Sequence, residues 1–284
     1  MQPSRGRVGD GGRAATIRFV KLKPVSSRDN AVYKRLKQLA SSAQARKTEG
    51  LSLLDGAHLV GAYLAARGAP ALMAFSESGL KRAEVQALVR QAAGDVLQLP
   101  DAMFEGISSV EHGAGIVAAV VTPREALPPT VSGDCLLLEH LQDPGNMGSL
   151  LRSAAAAGVR QVFCSTHTVY AWSPKVLRAG QGAHFGLTIV EGVALDEVID
   201  RLTVPLMATS SHASASVFES DLAGPVAWLF GNEGAGVSPA LLARAERKVM
   251  IPMPGGIESL NVAAAGAICM FEAVRQRRIG KKKT

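Results

Sequence analysis

The stretch CLLLEHLQDPGNMGSLLRSAAAAGVRQVFC, residues 135–164, sets the architecture of the second half of the chain. CLLL (135–138) and QVFC (161–164) are short strand-like runs, apolar but for Gln161, Asp143-Pro144-Gly145 is turn chemistry, and a helix is expected from near Gly148 to just before Gly158. Apolar runs of this length fit strands buried on both faces, and a helix between two of them fits a parallel crossover. The pattern repeats downstream in LTIV (187–190), VPLMAT (204–209), VAWLF (226–230) and VMIPM (249–253). The six runs predict a mainly parallel sheet with helices on both faces, an α/β domain of about 150 residues.

Moving toward the N-terminus, TPREALPPTVSG (122–133) holds three of the 14 prolines and reads as a linker. Before it, LSLLDGAHLVGAYLAARG (51–68) reads as strand into helix, PALMAFSESG (70–79) as strand, LKRAEVQALVRQAAGDVLQLP (80–100) as helix, and GIVAAVV (115–121) as a closing strand. These make a second, smaller α/β domain of about 90 residues. From Asp29 onward, Val32, Leu36 and Leu39 share one helical face while Lys34, Arg35 and Lys37 lie off it, which predicts a basic amphipathic helix. Residues 1–24, rich in Gly and Arg, read as a flexible basic arm; a start placed too far upstream is the alternative. The expected units are thus 1–24, 25–122, a 123–133 linker, 134–278 and a basic tail at 279–284.

The 284 residues carry 31 Lys and Arg against 24 Asp and Glu, a net charge of +7 that is unevenly spread. Residues 1–50 are net +9 and residues 275–284 net +6, leaving −8 for residues 51–274. A hydrophobic content of 47% is enough for a substantial core and excludes wholesale disorder. No apolar stretch approaches a membrane span and no signal-peptide pattern opens the chain, so a soluble, cytosolic protein is expected. Cys135, Cys164 and Cys269 are odd in number and widely spaced, and His58, His112, His140, His167, His184 and His212 include no HxxxH pair, so neither a disulfide framework nor a metal is expected.

In open α/β sheets ligands gather beyond the carboxyl ends of strands, and three such loops carry polar groups. In the first, DPGN leads into a helix with Arg152 expected about one turn in, where the helix N-terminus favours an anion. DPGN is equally an ordinary turn and Arg152 an ordinary surface arginine. The second, LFGNEGAGVSPALL (229–242), has GxxGxG spacing, unlike the dinucleotide fingerprint, lacks the lysine of a phosphate loop, and offers Ser238 and Pro239 as N-cap and first-turn proline. Its Glu233 is read either as a functional carboxylate or as a solvated loop residue. In the third, IPMPGGIESLNV (251–262), Ser259 and Asn261, read either as site residues or as simple capping, precede a long helix whose body, Val262 to Val274, is apolar on nearly every face. Such a helix fits either a subunit interface or a buried core.

In this order and spacing, the three loops resemble the signature motifs of the SpoU/TrmH family of RNA ribose 2'-O-methyltransferases, within the knotted SPOUT superfamily, over about residues 134–278. The segment RLKQLASSAQARKTEGLSLLDGAHLV (35–60) resembles the ribosomal-protein-like RNA-binding domain of many members, with Asp55 where a Glu is usual. Residues 1–24 lie outside the resemblance.

The resemblance implies a C-terminal trefoil knot that binds S-adenosylmethionine through the second and third loops. That points to Gly231, Ile251 and Leu260, and further to Met253 and Thr209. It implies attack of a ribose 2'-oxygen on the sulfonium methyl, with Arg152 in the catalytic role and Asn146, Glu233, Ser259 and Asn261 as the motifs' other polar residues. A guanidinium is a poor base, so Arg152 is expected to grip a phosphate and stabilise the developing alkoxide. It further implies an RNA substrate, contacted through Lys34, Arg35, Lys37, Arg46 and Lys47, and a homodimer packed through the last helix. The RNA is expected to be ribosomal, of the large subunit; a transfer-RNA enzyme, a resistance methyltransferase and a non-catalytic RNA-binding relative are the alternatives.

Overall fold

The computed structural model describes residues 21–92, 95–110 and 113–280. In chain order its first half contains β1 (Lys21–Pro24), α1 (Ala31–Ser41), α2 (Ala43–Glu49), β2 (Leu51–Asp55), α3 (Ala57–Arg67), β3 (Leu72–Ser76), α4 (Ala83–Gln91), β4 (Asp95–Leu99), α5 (Asp101–Phe104) and β5 (Ile116–Val121). The strands form a mixed sheet in the order β1-β4-β3-β5-β2, with β5 antiparallel to both of its neighbours and the other pairings parallel.

Three expectations change here. The last four residues of the presumed arm, Lys21–Pro24, form the edge strand β1 on β4, whose open backbone groups they pair. DVLQL is a strand and not the end of a helix. Val96 enters one apolar cluster while Leu97 and Leu99 enter the other, the two-residue alternation of a strand between two packed layers. In α1 the buried face is Tyr33, Leu36 and Leu39, with Val32 left exposed, because Tyr33 anchors its hydroxyl to the Met103 carbonyl at 3.1 Å. Asp55, at the end of β2, accepts from the Ser109 amide at 2.6 Å and from the hydroxyls of Ser108 and Ser109, so the shorter acid holds that turn.

The second half contains β6 (Cys135–Leu138), α6 (Pro144–Ala157), β7 (Gln161–Ser165), α7 (Pro174–Gly180), β8 (Thr188–Val193), α8 (Leu195–Ile199), β9 (Leu206–Thr209), β10 (Ala215–Ser216), β11 (Ala227–Phe230), α9 (Pro239–Arg244), β12 (Arg247–Met250) and α10 (Val262–Gly280). Its seven strands are all parallel, in the order β10-β12-β9-β11-β6-β7-β8. The chain runs from β6 outward through β7 to β8 and then crosses back to β9, so the direction of winding reverses beside β6, between it and β11. The loops after β6 and β11 therefore flank the position where such sheets bind ligands.

Within the stretch read as a linker, Val131 is buried and bridges Leu202, and Arg201 holds the Leu127 and Pro128 carbonyls. The two halves share one continuous apolar cluster, in which Leu54 and Phe75 join Leu136, Leu150 and Trp228. Tyr63 packs edge-on against Phe185 at 5.3 Å, and Arg67 donates to the Phe185 carbonyl. No helix among the described residues is long and apolar enough to cross a membrane.

Candidate active site

The helix after the first loop begins earlier than its glycines suggest. Asp143 caps it by accepting from the Asn146 amide at 2.7 Å, and Pro144 occupies the first turn, where its missing N–H costs nothing. Arg152 consequently lies more than two turns in, not one, beyond the reach of the helix N-terminal field. Any grip on phosphate rests on its own charge. Arg152 is exposed, and Asn146 six residues earlier is about 120° away around the helix.

The second loop folds back on itself. Asn232 and Gly236 exchange backbone hydrogen bonds of 3.0 and 2.8 Å, and the Asn232 carboxamide accepts from the Gly234 and Ala235 amides while donating to the His140 carbonyl. A side chain at Gly231 would place Cβ 2.1 Å from the Gly236 carbonyl carbon, so this return requires glycine. Ser238 caps α9, as its sequence predicts, and its amide donates to the buried Glu139 at 2.7 Å.

The third loop leaves the sheet early. β12 ends at Met250, and Ile251–Met253, expected to continue the strand, depart from the ladder toward the cleft. Asn261 caps α10, accepting from the Ala263 and Ala264 amides.

The three loops converge. Glu233 accepts from the backbone amides of Gln142 (3.1 Å) and Asp143 (2.9 Å) and from the Asn146 carboxamide (3.2 Å), and the Asn146 oxygen accepts from the Asn261 carboxamide at 2.7 Å. Burial pushes the Glu233 carboxyl up, but the amides of Asp143 and Gln142 and the Asn146 carboxamide outweigh it, leaving the group below its ordinary value. The Glu233–Asn146–Asn261 chain thus ties one residue from each loop into a single polar row.

Beside that row lies a cleft of about 520 Å³, within the range of small-molecule sites. Thr209, Gly231, Ile251, Met253 and Leu260 line it, as do Asn146, Glu233, Ser259 and Asn261. Nine of the ten residues expected at the catalytic and cofactor sites therefore meet around one cavity, and Arg152 does not line it. Its wall alternates apolar side chains with loop backbone held close by Gly231, a surface suited to a ligand such as S-adenosylmethionine with both an apolar and a polar end. His212 and Asn232, which also line it, were not anticipated. The asparagine in GNEGAG is typical turn chemistry and was the available signal.

Of the residues expected to face RNA, Lys37 is exposed, Lys34 pairs with Asp29 at 2.8 Å and Arg35 pairs with Glu49. Arg46 is a correction: it is buried and donates to the Leu39 and Ala40 carbonyls, closing the α1–α2 corner. Lys47 lies over the Tyr170 ring, 5.3 Å from its centre. Among the described residues no group of three His, Cys, Asp or Glu side chains is placed to hold a metal ion, and the three cysteines are buried and free.

Residues 135–271 match the model of the SpoU rRNA methylase family. The chain is 30% identical over 253 residues to the Bacillus subtilis 23S rRNA (guanosine(2553)-2'-O)-methyltransferase RlmP, covering 88% of this chain and 98% of that protein. It is 34% identical over 200 residues to the 23S rRNA (uridine(2479)-2'-O)-methyltransferase of Streptomyces viridochromogenes, covering 66% and 70% of the two. The structure of the SpoU methyltransferase AviRb from the same organism, in complex with the cofactor AdoMet, superposes with a TM-score of 0.79 at 27% identity over 87% of this chain and 98% of that one. The chain belongs to the SpoU rRNA methylase family and is an S-adenosylmethionine-dependent RNA 2'-O-methyltransferase.

Proposed function

We propose that this protein methylates the ribose 2'-hydroxyl of one nucleotide in large-subunit ribosomal RNA, acting in the cytosol as a homodimer. The observation that carries this assignment is the polar row Glu233–Asn146–Asn261 at the edge of the cleft lined by Gly231, Ile251 and Leu260. Only RNA offers a 2'-hydroxyl, and the relatives' 23S substrates favour ribosomal over transfer RNA.

Thr209, Gly231, Ile251, Met253 and Leu260 hold the methyl donor, with the turn at Gly231 and Gly236 supplying backbone close to it. S-adenosylmethionine, when bound, contributes an electrophilic methyl group on sulfonium sulfur. Asn146, Glu233, Ser259 and Asn261 fix the rim against which the ribose is oriented, so that its 2'-oxygen is presented in line. Arg152 grips the adjacent phosphate bidentately and stabilises negative charge developing on the 2'-oxygen, with the phosphate or a nearby group taking the proton. The third loop, passing from β12 to α10 across the second loop, forms the trefoil knot. The α10 face bearing Ala264, Ile268 and Phe271 packs against its counterpart in the dimer; Phe271 is 45% exposed in the single chain.

The test is Arg152→Ala. Because Arg152 does not line the cleft, S-adenosylmethionine affinity by calorimetry should stay within about twofold while single-turnover methylation of 23S RNA falls by about 10²-fold or more. Methylation at the wild-type rate refutes the role of Arg152. Mapping 2'-O-methyl sites in cells with and without the gene identifies the nucleotide, and an unchanged ribosomal RNA refutes the assignment.

A further inference from the structure

A second cleft, of about 460 Å³, opens at the carboxyl ends of β7 and β8, where the two halves of the chain meet. Lys47, Thr122 and Arg124 contribute from the first half, and His167, Tyr170 and Glu191 from the second. None of these is used in the chemistry above.

The cleft is built rather than incidental. Cys164 pairs with Glu191 but Ser165 pairs with Val193, so Gly192 is bulged out of the ladder at φ 69°, a conformation that favours glycine. The bulge sets the partly buried Glu191 at the cleft wall. One of its oxygens, Oε1, accepts from the Ala171 amide at 2.7 Å, and Oε2 has no hydrogen-bond partner among the described residues. Arg124 donates to the Lys47 carbonyl at 3.1 Å, and the Lys47 ammonium is held over the Tyr170 ring. A carboxylate with an open acceptor therefore stands beside two cations anchored at the rim.

A purely anionic ligand suits Lys47 and Arg124 but is repelled by Glu191 and by Glu125, which lines the same cleft. A nucleotide satisfies both, because its phosphate is anionic and its base edge carries N–H donors; guanine offers two adjacent ones, N1–H and the N2 amino group. The cleft also lies on the same edge of the sheet as the methyl-donor cleft. β7 is two strands from β11, about 10 Å at normal strand spacing, and Gln142 bridges them by donating from its side chain to the His167 carbonyl and from its amide to Glu233.

We propose that this junction cleft is a second nucleotide site, taking a guanine-bearing nucleotide of the substrate RNA that flanks the methylated ribose. Glu191 reads the base donors, and Lys47 and Arg124 hold the phosphate. The proposal rests on the methyltransferase assignment for its substrate, but its test is separable from that assignment.

The full chain labelled at isoleucine methyls carries Ile189 in the junction cleft and Ile251 in the methyl-donor cleft. Titrated with guanosine and uridine 5'-monophosphates, Ile189 should shift, with guanosine monophosphate binding at least ~10-fold more tightly. Glu191→Gln should abolish that preference, and Lys47→Ala should weaken both nucleotides alike. In methylation of 23S RNA, Glu191→Gln should raise KM with kcat unchanged. An Ile189 resonance unmoved by millimolar guanosine monophosphate, or a preference for guanosine monophosphate that persists in Glu191→Gln, overturns the proposal. Failure of S-adenosylmethionine to shift Ile251 strikes the methyltransferase assignment instead, on a different resonance.

Discussion

His184 makes this protein's stability depend on pH in a way that can be worked out in advance. Its ring is fully buried, packed edge-on against Trp172 at 5.2 Å. Nε2 lies 2.9 Å from the Ala171 carbonyl and so carries the proton it donates, whereas Nδ1 has no hydrogen-bond partner among the described residues. The turn closes tightly on the ring: a Cβ at Gly180 would lie 2.6 Å from Cε1. Burial pushes the imidazole from its ordinary 6.5 down to about 4, with the bond to Ala171 opposing the shift. The unfolded chain therefore takes up a proton near 6.5 while the folded chain refuses it until about 4, so this contribution is complete above 6.5 and is lost as pH falls toward 4. At about 1.4 kcal/mol per unit, the loss between about pH 7.5 and pH 5 is about 2 kcal/mol. Urea unfolding of wild type and His184→Gln at these two pH values isolates the effect, because glutamine retains a donor for Ala171 and does not titrate. The wild type should lose about 2 kcal/mol more than the variant on acidification. Equal losses would refute the burial argument, whatever the variant's own stability.

Three further outcomes are expected. Gly231→Ala forces a Cβ to within 2.1 Å of Gly236 and should weaken S-adenosylmethionine binding at least ~10-fold by calorimetry, because the return of the second loop cannot close as it does with glycine. Phe271→Asp places a charge on the exposed face of α10 and should yield a monomer by sedimentation with the monomer's fold intact; a persisting dimer excludes that face. Deleting residues 1–20 and 281–284 removes net positive charge without touching β1, so RNA affinity should fall and its logarithmic salt slope flatten while S-adenosylmethionine binding is unchanged. Equal loss of both would mean that the charged ends support the fold.

The parallel sheet was legible because strands buried on both faces are nearly continuous apolar runs, and CLLL, QVFC and VAWLF have strand length and recur between helical segments. The caps at Ser238 and Asn261 were legible for a similar reason: they are local hydrogen bonds between a short polar side chain and amides two or three residues on. Local signals failed where two local patterns competed. DVLQL resembled the end of a helix until it was placed between two apolar layers, and the glycines after DPGN concealed a helix that Asp143 and Pro144 had already begun.

By itself the sequence determined the α/β alternation, the uneven charge and, by resemblance, the residues of three loops far apart along the chain. Tertiary structure alone decided which of them meet. Glu233, Asn146 and Asn261 are joined by hydrogen bonds across 87 and 115 residues, and nine expected site residues face one cleft while Arg152 stays outside it. Only packing could reveal that Arg46 is consumed by the α1–α2 corner, or that a bulge at Gly192 leaves Glu191 with an open oxygen between the two halves. The physical reason is the same in each case. Spacing along a chain records local hydrogen bonding and the period of burial, whereas a side chain's partners across a sheet edge are set by strand order, which no local pattern encodes.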